Sequence, residues 1–442
     1  MTLFDGQRLS QSIVRLDLDG LRRGLYADKY FENVTTILER ARLADSTHPA
    51  RHGTQVQPGD LIVEAQIFTR RAPRALVAGI DIALLMLRHA AGIAVISEGD
   101  SFRETYADFS VDAAHDGVMV AYDGEPEHVK PILRIRGRYQ DFALLETPIL
   151  GYLTRASRIA TNVYDVLEAA NGKPILYFPA RFDLPEVQAL DGYAYWLAVQ
   201  RYNHDTGMTT RAAVSTDAQA SWWGGVGGGT MPHALIAVYQ GDTAAAMVAF
   251  AEALPIAVAR IALVDFNNDC VGASLACARA LWARHRAALE ADDADGARRW
   301  RLDGVRLDTS ASVRDVSLDE GDPNGVNPKL VRLVRAALDS AWESWDVPAA
   351  LQDAARAFCQ GVKIVVTGGF SRDRIAAFER DRVPVDSYGV GSSLLRNDSA
   401  SNTDFTMDIV RARIDGAWVD VAKIGRRAND NPDLQSIDLT QF

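Results

Sequence analysis

From residue 174 to residue 380 the chain alternates between short apolar runs and longer amphipathic ones, and no other feature limits its fold so strongly. The runs "PILYFPA" (174–180), "TRAAVST" (210–216), "RIALVDF" (260–266), "GVRLDT" (304–309) and "GVKIVVTGG" (361–369) read as strands. Segments 185–203, 242–254, 270–290, 327–344 and 371–380 carry apolar residues at helical spacing. Apolar strands joined by helical crossovers predict an α/β fold with a parallel sheet covered on both faces, open or closed into an irregular barrel.

The N-terminal part follows another rhythm. Residues 1–25 are polar and irregular, 26–43 read as a helix, and 44–59 as a loop. "LIVEAQIFT" (61–69) alternates like a strand, and "RALVAGIDIALLML" (74–87) reads as a helix. The stretches 93–99, 117–124 and 130–137 are short and β-like, and 142–170 is a long helical stretch. Near the other end, 404–424 predicts a hairpin turning near Asp415-Gly416. This hairpin is expected to pack back onto the N-terminal part. The predicted organisation is an α+β domain from 1–140 and 400–442 around an α/β barrel domain from 141–399.

Composition excludes several classes. The 58 acidic residues outnumber the 47 basic ones, for a net charge of −11, which disfavours nucleic acid and anionic membranes as partners. No apolar run reaches the roughly 18 residues of a membrane helix, and the first residues carry no apolar targeting core. The three cysteines, Cys270, Cys277 and Cys359, form no CxxC pair and fit a reducing cytoplasm. Cys270 and Cys277 share a helical face and read as core.

In parallel α/β folds, sites form at the C-terminal ends of the strands. The residues there are Phe178 and Arg181, then Ser215, Thr216 and Asp217, then Asp265, Arg306 and Asp308, and finally Gly368 and Gly369. Arginines, acids, an aromatic ring and glycines suit an anionic, hydroxyl-rich ligand with a flat group. "VVTGGFSRDRI" runs from strand through Gly-Gly to helix, and "VDSYGVGSSLL" adds Gly389, Gly391 and Ser392. Either alone could be an ordinary tight turn. Together, at neighbouring strand ends, they favour a phosphate cradle built from backbone N–H groups. Arg306 and Asp308 lie two apart, so they point the same way. They could form a salt bridge, or hold phosphate and ribose hydroxyls respectively.

"GGGTMPHAL" (227–235) sets three glycines before a lone histidine, His233, at the start of an apolar helical run. A lone histidine is usually a packed or surface residue. Here the glycines permit a tight bend, and the helix onset disfavours the imidazolium and keeps a nucleophilic imidazole. No HxH or HExxH pattern points to a metal site.

These residues, in order, give the chain a family resemblance. "DKYF" (28–31), "GRYQDFALLETPIL" (137–150), "FPARFDLPEVQALDGYAY" (178–195), "GTMPHALI" (229–236), "VRLDTS" (305–310), "TGGFSRDRIAAF" (367–378) and "VPVDSYGVGSSL" (383–394) together resemble the nicotinate phosphoribosyltransferases, type II phosphoribosyltransferases of NAD salvage. The resemblance covers most of the chain. The type I enzymes of purine salvage do not fit, because Phe266 replaces the second acid after Asp265 and no matching phosphate loop follows.

The resemblance implies transfer of phosphoribosyl from phosphoribosyl diphosphate to nicotinate, giving nicotinate mononucleotide and diphosphate. It implies coupling to ATP, the co-substrate, through a phosphohistidine at His233, and a need for Mg2+ whose ligands the sequence does not reveal. Tyr30 would reach the site of a neighbouring subunit in a homodimer and stack on the pyridine opposite Phe178. Arg181, Arg306 and Asp308 would hold phosphate and ribose, Asp265 would be a further substrate-binding residue, and His233, Arg306 and Asp308 would form the catalytic set. Gly368, Gly369, Gly389, Gly391 and Ser392 would hold the 5′-phosphate, and the Thr216 hydroxyl would donate to the nicotinate carboxylate. The chain departs from the family's FGTRR at Pro179 and Phe182, and from its VRLDSGD at Thr309-Ser310-Ala311. The alternatives are the same chemistry on nicotinamide or another base, and a nucleotide-binding homologue with weak activity.

Overall fold

A computed structural model describes residues 3–50, 53–95 and 101–442. Its central feature is a six-stranded, all-parallel sheet. The strand order is Ala213–Val214, Ile175–Tyr177, Ser387–Val390, Lys363–Val366, Gly304–Leu307, Ile261–Leu263. Buried Tyr177, Val305, Leu307, Ile364, Val366, Tyr388 and Val390 give the sheet its core. The sheet curls into a half-barrel whose edges are the short Ala213–Val214 and Ile261–Leu263 strands.

The five expected strands all form, and the helices between them start and stop near their expected ends. Cys270–Glu290 matches throughout, because Asp269 caps it by accepting from the Gly272 N–H at 2.7 Å. Cys270 and Cys277 are buried on this helix. The sixth strand, Ser387–Val390, lies inside the segment read as a glycine turn. It is four residues long with a glycine inside, so no apolar run marks it.

A second six-stranded sheet is antiparallel, in the order Ala417–Asp420, Phe405–Ile414, Ile62–Thr69, Leu133–Arg138, Ser110–Ala113, Gln435–Ile437. The C-terminal hairpin thus pairs with an N-terminal strand, with Phe405 opposite Thr69 and Met407 opposite Ile67. It turns at Asp415 (φ 49°) and Gly416 (φ 81°), two left-handed residues as a two-residue hairpin requires.

Two readings of the N-terminal part change, and a third lies partly outside the described residues. The segment 74–87 is not all helix: Arg74–Leu76 is a strand paired with Met119–Ala121, and the helix Ile80–Ala90 starts only after Gly79. Short helices Gln11–Val14 and Leu18–Arg22 form where an irregular segment was expected, the second capped by Asp17. Of the β-like 93–99 stretch, residues 93–95 belong to a strand Gly92–Val95 paired with Ser101–Glu104, and the rest lies outside the described residues.

The helix Glu146–Ala169 joins the two sheets. It packs on Gln188–Thr206 of the half-barrel and touches Phe405, whose N–H donates to Thr154 Oγ1 at 3.2 Å.

Candidate functional site

Because the six strands are parallel, all their C-terminal ends open on one rim. In sheet order the rim presents Thr216, Phe178, Gly391 and Ser392, Gly368 and Gly369, then Arg306 and Asp308, and finally Asp265. The segment 227–233 crosses between the two edges of the half-barrel. At one side the Gly228 N–H donates to Val214 O at 2.8 Å. At the other, the Met231 carbonyl accepts from Arg306 Nη2 at 3.2 Å, and His233 meets Asp265. The crossing explains Gly227: a Cβ there would lie 2.6 Å from the Thr216 carbonyl carbon, so a side chain would push the segment off the rim.

His233 Nε2 lies 2.9 Å from Asp265 Oδ1. The imidazole is 45% exposed and the carboxylate 9%, so the pair has a wet face and a dry root. Burial pushes the Asp265 carboxyl above its ordinary range, and the imidazole opposes that rise. The helix His233–Val238 is only six residues long. The sequence reading set His233 against a helix end, whereas its partner is a carboxylate delivered by the next strand.

Arg306 and Asp308 do share a face, flanked by buried Val305 and Leu307. They do not pair with each other. Asp308 Oδ1 accepts from Thr367 Oγ1 at 2.6 Å. Arg306 spends one nitrogen on the Met231 carbonyl, and its buried Nε has no partner. Burial pulls its guanidinium below the ordinary value; Asp308 and Asp265 oppose that, and Arg181 adds repulsion. Two arginines that repel across the rim make it receptive to an anion.

Gly368 and Gly369 form the expected turn, with φ of 87° and 71°, and both are exposed. Gly391 precedes the short turn Ser392–Leu395, and Ser392 is exposed. Gly389 is not in a turn. It is a buried strand residue, and a Cβ there would lie 2.4 Å from Thr367 Cγ2 and 2.8 Å from Phe178 Cε2. It serves close packing beneath the rim. Phe178 holds its place through its N–H to Val390 O at 2.9 Å. Arg181 lies over the Phe182 ring, and the same ring packs against Gly391.

Two predicted residues are not free to serve this rim: Thr216 sits on it with its hydroxyl engaged, and Tyr30 lies off it. The Thr216 hydroxyl donates to Gln188 Oε1 at 2.8 Å and caps the helix Asp217–Ala220 by accepting from the Gln219 N–H. Tyr30 lies on the helix Lys29–Leu43, its hydroxyl 3.1 Å from Asp28 and its ring against Phe31. It lines a groove of about 620 Å³ with Tyr139, Glu146, Asp408 and Lys423, not the rim. The sequence reading missed Thr367, Gln188 and the Met231 carbonyl. Thr367 and Gln188 fall inside quoted motifs, but their partners are set by strand pairing.

The rim's carboxylates are committed to other side chains. Asp265 and Asp308 are each tied by one oxygen to His233 and Thr367. Among the described residues no three His, Cys, Asp or Glu side chains converge as metal ligands. That fits magnesium carried on substrate phosphates better than a protein-built cage.

Comparison with known proteins supports the fold. Residues 52–157 match the family described as quinolinate phosphoribosyl transferase, N-terminal domain. Nicotinate phosphoribosyltransferase pncB2 of Mycobacterium tuberculosis is 26% identical over 300 residues, covering 67% of this chain and 50% of the relative. The chain therefore spans about half the length of the curated relatives it matches. The crystal structure of nicotinate-nucleotide pyrophosphorylase from Pyrococcus furiosus superposes with a TM-score of 0.63 at 25% identity, covering 96% of this chain and 85% of that one. Human nicotinic acid phosphoribosyltransferase superposes with a TM-score of 0.57 at 17% identity, covering 88% and 75%. The curled parallel half-barrel beside an antiparallel sheet is the fold of the type II phosphoribosyltransferases. Within that class, the chain is similar both to nicotinate phosphoribosyltransferases and to a nicotinate-nucleotide pyrophosphorylase.

Proposed function

We propose that the chain transfers phosphoribosyl from phosphoribosyl diphosphate to nicotinate, coupled to ATP through a phosphohistidine at His233. The observation that carries the reading is the His233–Asp265 pair, 2.9 Å apart at a rim that also holds Arg306, whose buried Nε has no partner, and the exposed Arg181. With Nε2–H donating to Asp265, Nδ1 keeps its lone pair. It attacks the terminal phosphorus of ATP as the bond to ADP breaks, and Asp265 stabilises the imidazolium character that develops. In the transfer step the pyridine nitrogen attacks C1′ of the sugar as the C1′–diphosphate bond breaks. Arg181 and Arg306 take up charge on the departing diphosphate. Asp308, oriented by Thr367, accepts from ribose hydroxyls. Gly368, Gly369, Gly391 and Ser392 receive the 5′-phosphate, and Phe178 flanks the ring. Magnesium, when bound through the phosphates, supplies charge neutralisation.

We further propose a homodimer in which Tyr30 serves the partner's rim. In support, the helix Lys29–Leu43 buries only Phe31, while Tyr30, Ile37 and Leu43 are 58%, 64% and 71% exposed. The division at residues 140 and 400 and a cytoplasmic location belong to the same proposal. The described residues contain no helix long and apolar enough to cross a membrane.

Thr216 favours a second reading. Its hydroxyl proton is already given to Gln188, so the base could be nicotinamide or another pyridine rather than nicotinate. Diphosphate release with phosphoribosyl diphosphate, magnesium and either base, with and without ATP, separates the readings when His233→Ala is run alongside. Nicotinate-dependent release that ATP enhances, and that H233A no longer enhances, is the expected result. Release with nicotinamide alone selects the second reading, and no release with any base points to a binding protein.

A further inference from the structure

Arg158 is a cation whose nearby acids, Asp191, Asp183 and Asp404, are held by other groups. It lies on the helix Glu146–Ala169, half-buried, and its Nε is sealed from solvent with no hydrogen-bond partner. Among the described residues no ion pair or hydrogen bond reaches its side chain. The charged groups around it are otherwise engaged. Arg155, three residues earlier, binds Asp191 at 2.8 Å and Asp183 at 2.6 Å. Asp404 accepts from Asn402 at 3.0 Å. Arg71, which Arg158 repels, donates to Thr403 at 2.8 Å and to Asn162 at 2.9 Å.

The position of Arg158 gives this isolation a use. Asn162, one helical turn on and on the same face, donates to the carbonyls of Leu394 and Arg396 at 3.0 and 3.1 Å. Those carbonyls lie within and just after the turn Ser392–Leu395 that Gly391 precedes. Asp183, held by Arg155, ends the turn Pro179–Phe182 that carries Arg181. The two turns touch, with Phe182 against Gly391. The helix therefore forms a wall behind two adjacent rim turns, and Arg158 stands on that wall between the anchors of both. A half-buried guanidinium presents a planar fork of donors suited to phosphoryl oxygens. A buried donor left unpaired is costly unless a ligand satisfies it.

We infer that Arg158 binds a phosphoryl group of the substrate at the Gly391–Ser392 turn, as a binding residue of the rim rather than a structural one. The inference rests on the phosphoribosyl transfer proposed above. The phosphoryl group could be the sugar 5′-phosphate or the diphosphate, so both probes are used.

The test is calorimetric titration of the full chain with ribose 5-phosphate and, separately, with magnesium diphosphate. Wild type, R158Q and R158K are compared, with thermal unfolding and sedimentation measured on each. R158Q is expected to weaken one or both probes about 10- to 100-fold with unfolding midpoint and oligomeric state unchanged. Loss confined to ribose 5-phosphate assigns the 5′-phosphate, and loss confined to diphosphate assigns the leaving group. R158K keeps the charge without the fork, and is expected to weaken the same probe roughly 2- to 10-fold. Should R158Q not fold, R158K alone decides, and wild-type affinity for both probes overturns the inference. Wild-type affinity in R158Q overturns it while leaving the phosphoribosyl reading intact, as does an altered oligomeric state with binding unchanged. If wild type binds neither probe, both readings fall.

Discussion

Thr367 Oγ1 donates to Asp308 Oδ1 at 2.6 Å, tying the ends of two neighbouring strands, Lys363–Val366 and Gly304–Leu307. The bond fixes the carboxylate where the Gly368-Gly369 turn begins, since Gly368 itself lies close to Asp308 Oδ1. Thr367 would thus act as a positioning residue for a ribose-binding acid. Thr367→Val keeps the shape and removes the donor. A hydrogen bond to a charged group is worth about 1.5–3 kcal/mol, so kcat/KM for phosphoribosyl diphosphate should fall roughly 10- to 100-fold. Thr367→Ser should restore most of it. Steady-state kinetics at fixed base decides, and an unchanged kcat/KM in the valine variant would remove Asp308 from the ribose.

The His233–Asp265 pair separates coupling from transfer. Asp265→Asn keeps an acceptor for the imidazole N–H but loses the charge that would stabilise an imidazolium. ATP-dependent enhancement of diphosphate release is expected to drop about 100-fold. Release without ATP should stay within about 3-fold, because the sugar and base contacts lie elsewhere on the rim. Alkali-stable radiolabel from ATP, counted on the intact protein, gives the same answer independently. Equal labelling of wild type and D265N would show that Asp265 does not serve phosphoryl transfer.

Away from the rim, a buried pair of acids makes stability depend on pH. Asp116 accepts from the Ile80 N–H at 2.8 Å and from the Tyr193 hydroxyl at 3.2 Å. Asp81 accepts from Arg8 at 2.7 Å and from the Leu9 N–H at 2.8 Å. Burial, with nearby Asp81 adding repulsion, pushes the Asp116 carboxyl up to about 7, and burial pushes Asp81 up as well. The folded state then holds a proton that the unfolded chain releases near pH 4. The associated stability is fully present below about pH 4 and is lost as pH rises towards 7, a change on the order of 3 kcal/mol. Asp116→Asn keeps the acceptor for Ile80 and cannot ionise, so it should flatten this slope. Urea unfolding at pH 5 and pH 8 checks it: the gap between the two midpoints should be smaller in D116N than in wild type.

The parts of the fold legible in the sequence were those with a local cause. Cys270–Glu290 is bounded by its own Asp269 cap, and the hairpin by Asp415-Gly416. The parts that escaped depend on distant partners. Ser387–Val390 becomes a strand because Ile175–Tyr177 and Lys363–Val366 flank it, and Arg74–Leu76 because Met119–Ala121 lies beside it. The site divides the same way. His233, Asp265, Arg306 and Asp308 were visible as residues at strand ends. That Asp265 meets His233, that Thr367 meets Asp308, and that Gln188 takes the Thr216 proton were not, because pairing follows strand order and not chain order.

Arg260 shows how far the support of the site reaches. It is fully buried, and among the described residues its guanidinium forms no ion pair. Nη1 donates to the carbonyls of Pro255 at 2.9 Å, Ile256 at 3.0 Å and Val258, and Nη2 to those of Ala251 and Leu254 at 3.2 and 3.1 Å. The cation thereby closes the C-terminal end of the helix Thr243–Ala253, where the helix dipole favours positive charge. The residue after it opens the strand Ile261–Leu263, which delivers Asp265 to His233. Arg260→Met fills similar space but leaves these carbonyls without donors. The loss should be about 3 kcal/mol or more, with Arg260→Lys recovering part of it. Because the rim is built on this strand, ATP-coupled turnover should fall further in R260M than phosphate-probe binding at the opposite side of the rim. Thermal unfolding together with the two probe titrations measures both effects. An unfolding midpoint equal to wild type would show that the carbonyls find other donors and that the strand does not depend on this cap.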